Sequence, residues 1–142
     1  MKDRYFVTMV VPGMKFQGDT LDRASLGGSE TAGASLSREL AKLGNTVKVF
    51  SNCDMPGDYD GVTYLPLAGF QAAMETLPGD VLVVQRTPEP FVSRSSHRLH
   101  LLWCHDLALG RQASSYQSVT WNLDRFITVS RWMKEQYQSG YG

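Results

Sequence analysis

Residues 26–51 read LGGSETAGASLSRELAKLGNTVKVFS, and this stretch decides the fold. Apolar residues after its two glycines recur at spacings of four, four and three residues, which places them on one face of a helix: Ala32, Leu36, Leu40 and Leu43. We therefore predict a helix over residues 29–43, with Ser29 as its capping residue, Glu30 at the positive end of its dipole and Gly44 as its terminator. The run at residues 46–51 predicts a strand directly after this helix.

The segment before this stretch completes a strand–helix–strand unit. Residues 5–11 form a continuous apolar run rich in β-branched side chains, which is typical of a strand buried on both faces of a parallel sheet. A polar loop with several glycines, residues 12–28, connects that run to the helix. We expect the two strands to be parallel and joined by a right-handed crossover.

Strands and helices alternate along the rest of the chain. After a turn-rich stretch at 52–61, we predict strands at 62–65, 80–85, 99–104 and 124–129, helices at 68–76 and 130–138, and a short helix or turn at 88–95. The pattern at 114–122 is ambiguous, and we favour a helix there. This alternation predicts a Rossmann-like α/β fold, a doubly wound, mostly parallel sheet with helices on both faces. The length of 142 residues fits one such domain.

Composition argues against several classes of protein. Fourteen basic and fourteen acidic residues cancel, whereas nucleic-acid-binding domains usually carry a basic excess, so we expect no nucleic-acid partner. No apolar run reaches the length of a membrane span, and residues 1–4 lack the apolar core of a signal peptide, which favours a cytoplasmic protein. Cys53 and Cys104 lack the spacing of a zinc site, and we expect both to be buried reduced thiols.

The segment Gly27-Gly28-Ser29 is the most informative candidate for a binding site. Ligands of open parallel sheets bind beyond the carboxyl ends of the strands, and this segment lies between the first predicted strand and the helix. Its glycines let a ligand approach the backbone, and the helix start aims free N–H groups at an anion such as a phosphate. A flexible loop that ends in a glycine cap explains the same residues equally well. The loop matches neither the dinucleotide fingerprint nor a P-loop.

Other candidates follow later strands. His105 and Asp106 come after residues 99–104, where a histidine can donate to a substrate hydroxyl or carbonyl. Alternatively, His105 bonds to nearby backbone and Asp106 caps a turn. Arg86, after residues 80–85, could hold a phosphate or a sugar hydroxyl, or it could be a solvated charge or form a surface ion pair. Ser130 is expected to cap the last helix.

The remaining side chains that stand out indicate structure rather than chemistry. We expect them in the core or, for the last three, in the core or at an interdomain surface: His97, His100, Trp103, Trp132, Met133 and Tyr137. Cys104 and His105 would point to opposite faces if the strand continues, and no G-x-S-x-G elbow or pair of strand-end carboxylates is present. The candidates therefore describe half of a site.

Three segments in the same order resemble one enzyme family. They are Leu26-Gly27-Gly28-Ser29-Glu30-Thr31 with its helix running on to Phe50, then Leu102-Trp103-Cys104-His105-Asp106, and then the stretch from Phe126 to Tyr137. Together they resemble the N-terminal half of the retaining GT-B glycosyltransferases of the glycogen-synthase-like group 1, or family 4, type. Arg131 departs from the family pattern, which often has an acidic residue after the serine.

The resemblance implies that residues 1–142 are the acceptor-side domain of an enzyme that transfers a sugar from a nucleotide sugar, with retention, to a sugar, lipid or peptide acceptor. It implies that His105 is a catalytic residue near the donor sugar and that the glycine segment lies near the donor phosphates. We assign candidate donor and substrate contacts to Gly27, Gly28, Ser29, Arg86, Asp106 and Ser130.

The family is usually metal-independent, so neither a metal nor a cofactor is expected beside the nucleotide sugar. A C-terminal donor domain, which this chain lacks, would carry most donor contacts. We therefore expect the isolated chain to be inactive, and any peripheral membrane association to require the full-length protein.

Two other functions stay open. A nicotinamide-dependent oxidoreductase domain would need a tight glycine fingerprint, which is missing, and an acidic residue closing the second strand, near which Asp54 lies. A stand-alone Rossmann-like binding module would associate with itself or with a partner protein and would not respond to nucleotide sugars.

Overall fold

The chain folds around one seven-stranded sheet. The computed structural model describes residues 3–76, 79–106 and 113–141, and within these ranges the strands are β1 Phe6–Val11, β2 Thr46–Ser51, β3 Gly57–Tyr59, β4 Val62–Pro66, β5 Val81–Gln85, β6 Leu99–Cys104 and β7 Arg125–Thr128. The α-helices in the same ranges are α1 Thr20–Arg23, α2 Gly28–Lys42, α3 Phe70–Ala73, α4 Ala113–Gln117 and α5 Arg131–Tyr141.

The strand order confirms the predicted α/β class with a mostly parallel sheet. The sheet runs β3-β4-β2-β1-β5-β6-β7, and each neighbouring pair is parallel except β3 with β4. Counted along the chain, the six parallel strands have the order 3-2-1-4-5-6 of Rossmann-like doubly wound sheets. The order reverses between β1 and β5, and this switch point is where such sheets leave a crevice for a ligand.

Each face of the sheet has its own apolar core. On one face α2 packs through Ala34, Leu36 and Leu40 against β1, β2 and Val83 of β5. On the other face, aromatic and sulfur-containing side chains from the segments after β4 and β5 and from α4 and α5 cover the sheet: Phe70, Met74, Phe91, Tyr116, Met133 and Tyr137. Cys104 lies in this second core, whereas Trp103 borders the first, so side chains alternate along β6, which ends at Cys104 and does not continue to His105.

The antiparallel edge strand β3 was missed, because residues 52–61 were expected to be only turns. Asp60 and Gly61 have φ angles of 51° and 80°, and they join β3 to β4. Positive φ at both central residues is the mark of the two-residue hairpin turn that Asp-Gly favours. Helix α1, inside the loop expected over 12–28, was also missed.

Several predicted boundaries move. The helix expected over 68–76 is a 3₁₀ turn, Leu67–Gly69, followed by one turn of α3, and the segment 114–122 divides into α4 and a 3₁₀ turn, Thr120–Asn122. The segment 88–95 contains a 3₁₀ turn, Glu89–Phe91, as expected.

Cys53 and Cys104 are both unpaired thiols, but Cys53 is only half-buried, contrary to expectation. Trp103 is also half-buried rather than fully in the core.

Helix α5 and the two structural histidines follow prediction closely. The Ser130 hydroxyl accepts the Met133 N–H at 3.0 Å and so caps α5. His97 and His100 are buried, and both ring systems hydrogen-bond to the Ser95 hydroxyl, at 2.9 and 2.8 Å. No α-helix in the described ranges is long and apolar enough to cross a membrane.

Candidate functional site

The crevice at the switch point gathers most of the residues that the sequence singled out. Gly13 and Met14 follow β1, Arg86 follows β5, and His105 and Asp106 follow β6. The N-terminus of α2 lies beside them, because its Glu30 side chain contacts the residues after both β1 and β5. Chain segments distant in sequence therefore meet at the carboxyl edge of three adjacent strands.

Glu30 is the buried centre of this cluster. Its side chain is only 4% exposed, and its carboxylate accepts the Met14 N–H at 3.2 Å and the Ser29 hydroxyl at 3.2 Å. Burial raises the pKa of Glu30, whereas backbone hydrogen bonds, the Ser29 hydroxyl and the Arg86 guanidinium lower it. The lowering effects together are larger, so the pKa of Glu30 lies below its usual value. Glu30 is therefore an anion in the folded protein at neutral pH.

The position of the Glu30 carboxylate explains why two nearby residues are glycines, and it shows that the predicted role of Ser29 as the helix cap is wrong. A Cβ atom at Gly13 or at Gly27 would overlap the oxygens of Glu30, so both positions require glycine. Helix α2 begins at Gly28, with Gly27 as its capping residue, and the Ser29 hydroxyl donates to Glu30 instead of capping the helix. The side chain of Glu30 thus supplies the negative charge that the helix dipole favours at this end.

Gly28 differs from Gly27 because it faces open space. No atom beyond its neighbours lies within 4 Å of a Cβ placed on Gly28. The N–H groups of Gly28 and Ser29 have no acceptor among the residues that the structure describes. These two donors at the start of a 15-residue helix remain available to an anionic group that approaches from the crevice.

Arg86 joins two carboxylates across the crevice. Its Nε donates to Asp106 Oδ2 at 2.7 Å, and its Nη1 lies 3.7 Å from Glu30 Oε1, while 38% of the side chain stays exposed. Its φ of 69° is uncommon for a residue other than glycine, and its carbonyl accepts the Tyr116 hydroxyl at 2.5 Å. Ion pairing, one of the alternatives for Arg86, is therefore observed, and it holds the guanidinium at the switch point.

His105 presents a neutral imidazole beside this ion-pair cluster. Burial lowers its pKa below the usual value, and the nearby charge of Arg86 lowers it further, against the opposing effects of Asp106 and Glu30. Its ring lies 4.7 Å from the ring of Trp103. Its Nε2 is buried and has no hydrogen-bond partner in the described part of the chain. The alternative that His105 bonds to nearby backbone is therefore not observed at Nε2, and it stays a prediction for Nδ1.

Asp106 and Ser130 play different parts. Asp106 pairs with Arg86, and its carbonyl accepts the Tyr137 hydroxyl at 2.5 Å. The turn that Asp106 was expected to cap lies in residues 107–112, outside the described residues. Ser130 follows β7, two strands away from β5, and no hydrogen bond or ion pair among the described residues links it to Arg86 or Glu30. Ser130 thus acts in this structure as a helix cap.

Gln85 was missed by sequence reasoning. It ends β5, is fully buried, and neither its Oε1 nor its Nε2 has a hydrogen-bond partner among the described residues. Its Oε1 would lie 3.2 Å from a Cβ on Gly33, so glycine at that position lets α2 pack closely over the strand. A polar residue that ends an otherwise apolar strand was the signal in the sequence.

Neither the described side chains nor the comparisons with known proteins point to a bound metal or other ligand. No group of three or more histidine, cysteine or acidic side chains suited to a metal ion occurs in residues 3–76, 79–106 and 113–141. Comparison of the chain with protein-family models, with curated proteins and with solved structures found no match. The geometry of the crevice and the three sequence motifs therefore carry the functional proposal.

Proposed function

We propose that this chain is the acceptor-side domain of a retaining glycosyltransferase that uses a nucleotide sugar. The observation that carries the proposal is the pair of N–H groups of Gly28 and Ser29, which have no acceptor among the described residues and begin the helix whose Glu30 lies 3.7 Å from Arg86. Helix N-termini with free N–H groups bind phosphates. The order of the three motifs along the chain supports the finer assignment to sugar transfer.

Each group would have a defined task. The N–H groups and dipole of α2 would hold a phosphate oxygen of the donor, and they would stabilise the charge that develops as the diphosphate leaves. Arg86 would approach the same oxygens with the exposed part of its guanidinium. The neutral imidazole of His105 would donate to or accept from a hydroxyl of the donor sugar. A second domain would supply the remaining donor contacts.

A dinucleotide-binding domain is the second candidate, because the 3-2-1-4-5-6 strand order is the one that binds dinucleotides. Two observations weigh against it. The Glu30 carboxylate fills the space between Gly13 and Gly27, where the first turn of a dinucleotide-binding domain receives the pyrophosphate, whereas the proposed phosphate approaches Gly28 on its open side. Asp54, the acidic residue nearest the end of β2, is instead paired with Lys15 at 3.2 Å.

Binding of nucleotide sugars and of NADH to purified protein separates the two candidates. We expect UDP-glucose or GDP-mannose to bind weakly, in the millimolar range, because in the proposed enzyme a second domain would supply the remaining donor contacts, and we expect NADH not to bind. Gly28→Val fills the open space at the helix start and should abolish nucleotide-sugar binding. Ser35→Val, at an exposed position of the same helix, should leave it unchanged. Binding of NADH alone, or equal effects of the two substitutions, would refute the proposal.

A further inference from the structure

Two adjoining cavities lie at the switch point on the face opposite α2. The first, of about 250 Å³, has Val10, Phe70 and Pro90 in its walls, and the second, of about 240 Å³, lies against Arg86 and Tyr116. Both are lined by Thr87 and Glu89, so these two residues stand between the cavities. The pair of cavities is named here the Glu89 cleft, with each cavity as one lobe. Each lobe alone is near the lower end of the size range of small-molecule sites.

The rim of the Glu89 cleft carries polar side chains that form few hydrogen bonds and no ion pairs with the described residues. Glu89 is exposed and forms no ion pair with any residue that the structure describes. The exposed amide of Gln71, in the first lobe, likewise has no hydrogen bond among those residues. The Thr87 hydroxyl accepts only a long contact of 3.5 Å from the Glu89 N–H. A carboxylate, an amide and a hydroxyl are thus free to bind a ligand.

The backbone holds Glu89 in place before any ligand binds. Glu89 begins the 3₁₀ turn Glu89–Phe91 and lies between Pro88 and Pro90, whose rings fix their own φ angles. Phe91 is fully buried in the core and anchors the end of the turn. A backbone that is already ordered loses less entropy when a ligand binds, so the ordering cost at Glu89 is confined to its exposed side chain.

The chemistry of the cleft favours a neutral saccharide. Apolar walls from Val10, Phe70 and Pro90 suit the C–H faces of a sugar ring, and sugar hydroxyls can donate to Glu89 and accept from the Gln71 amide. An alkyl chain would remove water from the carboxylate and the amide without replacing their hydrogen bonds. An anionic group would be repelled by Glu89 in the first lobe, which Arg86 does not line.

We infer that the Glu89 cleft binds a saccharide acceptor and that Glu89 determines its specificity by accepting hydrogen bonds from two hydroxyls of the sugar. The inference rests on the proposed function, because the cleft opens beside Arg86 at the same switch point as the α2 N-terminus. It selects the sugar among the sugar, lipid and peptide acceptors that the sequence left open.

Chemical-shift mapping of the whole chain tests this inference. The probes are methyl glycosides of glucose, galactose, mannose and N-acetylglucosamine, with tetraalanine amide as a peptide probe, each up to about 100 mM, where a millimolar site saturates, and 1-octanol as a lipid probe up to its solubility limit. At least one glycoside should shift the amides of Thr87, Glu89 and Gln71. Glu89→Gln should weaken that binding about tenfold, the loss of one charge-assisted hydrogen bond. Glu135→Gln, exposed on α5, is the matched control and should change nothing.

The outcomes separate this inference from the proposed function. No glycoside shift at Thr87–Glu89, stronger shifts there with 1-octanol or the peptide, or equal affinity in Glu89→Gln would each overturn the inference. If UDP-glucose still shifted the amides of Gly28 and Ser29 in the same sample, the proposed function would stand without it. Glycoside shifts at Glu89 with no response at Gly28 would support a saccharide site and refute the nucleotide-sugar site.

Discussion

Removal of the Glu30 carboxylate should destabilise the fold and open a new anion site. In Glu30→Ala, the Met14 N–H, the Ser29 hydroxyl and the Arg86 guanidinium all lose a buried charged acceptor. One hydrogen bond to a charged group contributes about 1.5–3 kcal/mol, and the partners share one carboxylate, so we expect a total loss of about 2–4 kcal/mol. Glu30→Gln keeps the volume and one acceptor, and it should lose about 1–2 kcal/mol.

Urea unfolding followed by circular dichroism measures both losses. Glu39→Ala is the matched control, because Glu39 lies on the same helix but forms only an exposed pair with Lys42 at 2.9 Å. Its loss should stay below about 1 kcal/mol. The vacated space should also accept an inorganic anion, so phosphate should raise the midpoint of thermal unfolding more for Glu30→Ala than for the wild type. Equal stability of Glu30→Ala and Glu39→Ala, or no added response to phosphate, would refute this account of Glu30.

Acid should weaken the fold through the buried histidines, because burial lowers the pKa of His97 and of His100. The stability that their neutral rings contribute is complete above the pKa of about 6.5 in the unfolded chain, and it is lost as the pH falls through the lower pKa values of the folded protein. Between pH 8 and pH 5, the midpoint of urea unfolding should fall less in a variant in which both His97 and His100 are replaced than in the wild type. An identical fall would contradict the role given to these histidines. Gly79→Ala should cost about 1–3 kcal/mol in the same assay, because its Cβ would overlap the His97 ring, and a neutral effect would show that the ring moves freely. Burial raises the pKa of Cys104 to about 11, so this thiol should react with a disulfide reagent at pH 8 far more slowly than half-buried Cys53, and equal rates would contradict its burial.

The overall architecture could be predicted because it depends on local patterns. The helical spacing of Leu36 and Leu40 and the apolar run before it identify a strand–helix–strand unit without any knowledge of distant contacts. Leu43, expected on the same helix face, is instead 76% exposed just after the end of α2. The positive φ of 95° at Gly44 confirms the predicted helix end for the same local reason. The Asp60-Gly61 turn was equally local, and its sequence could have identified the β3–β4 hairpin.

The site could be predicted only in part because its contacts join distant segments. The sequence marks Arg86, but it does not show that Asp106, 20 residues away, and Glu30 would hold it. Glu30 was expected to complement a helix dipole, yet it also excludes side chains at Gly13 and Gly27. Such steric relations exist only after the sheet has brought β1, β5 and α2 together.

The most direct test of the central claim is the response of the Gly28 and Ser29 amides to a nucleotide sugar. In a ¹H–¹⁵N spectrum of the wild-type chain, UDP-glucose or GDP-mannose should shift these two signals in a saturable way, and Gly28→Val should abolish the response. Saturable shifts that avoid both amides, or the absence of any shift up to about 100 mM, would contradict a nucleotide-sugar site at the start of α2.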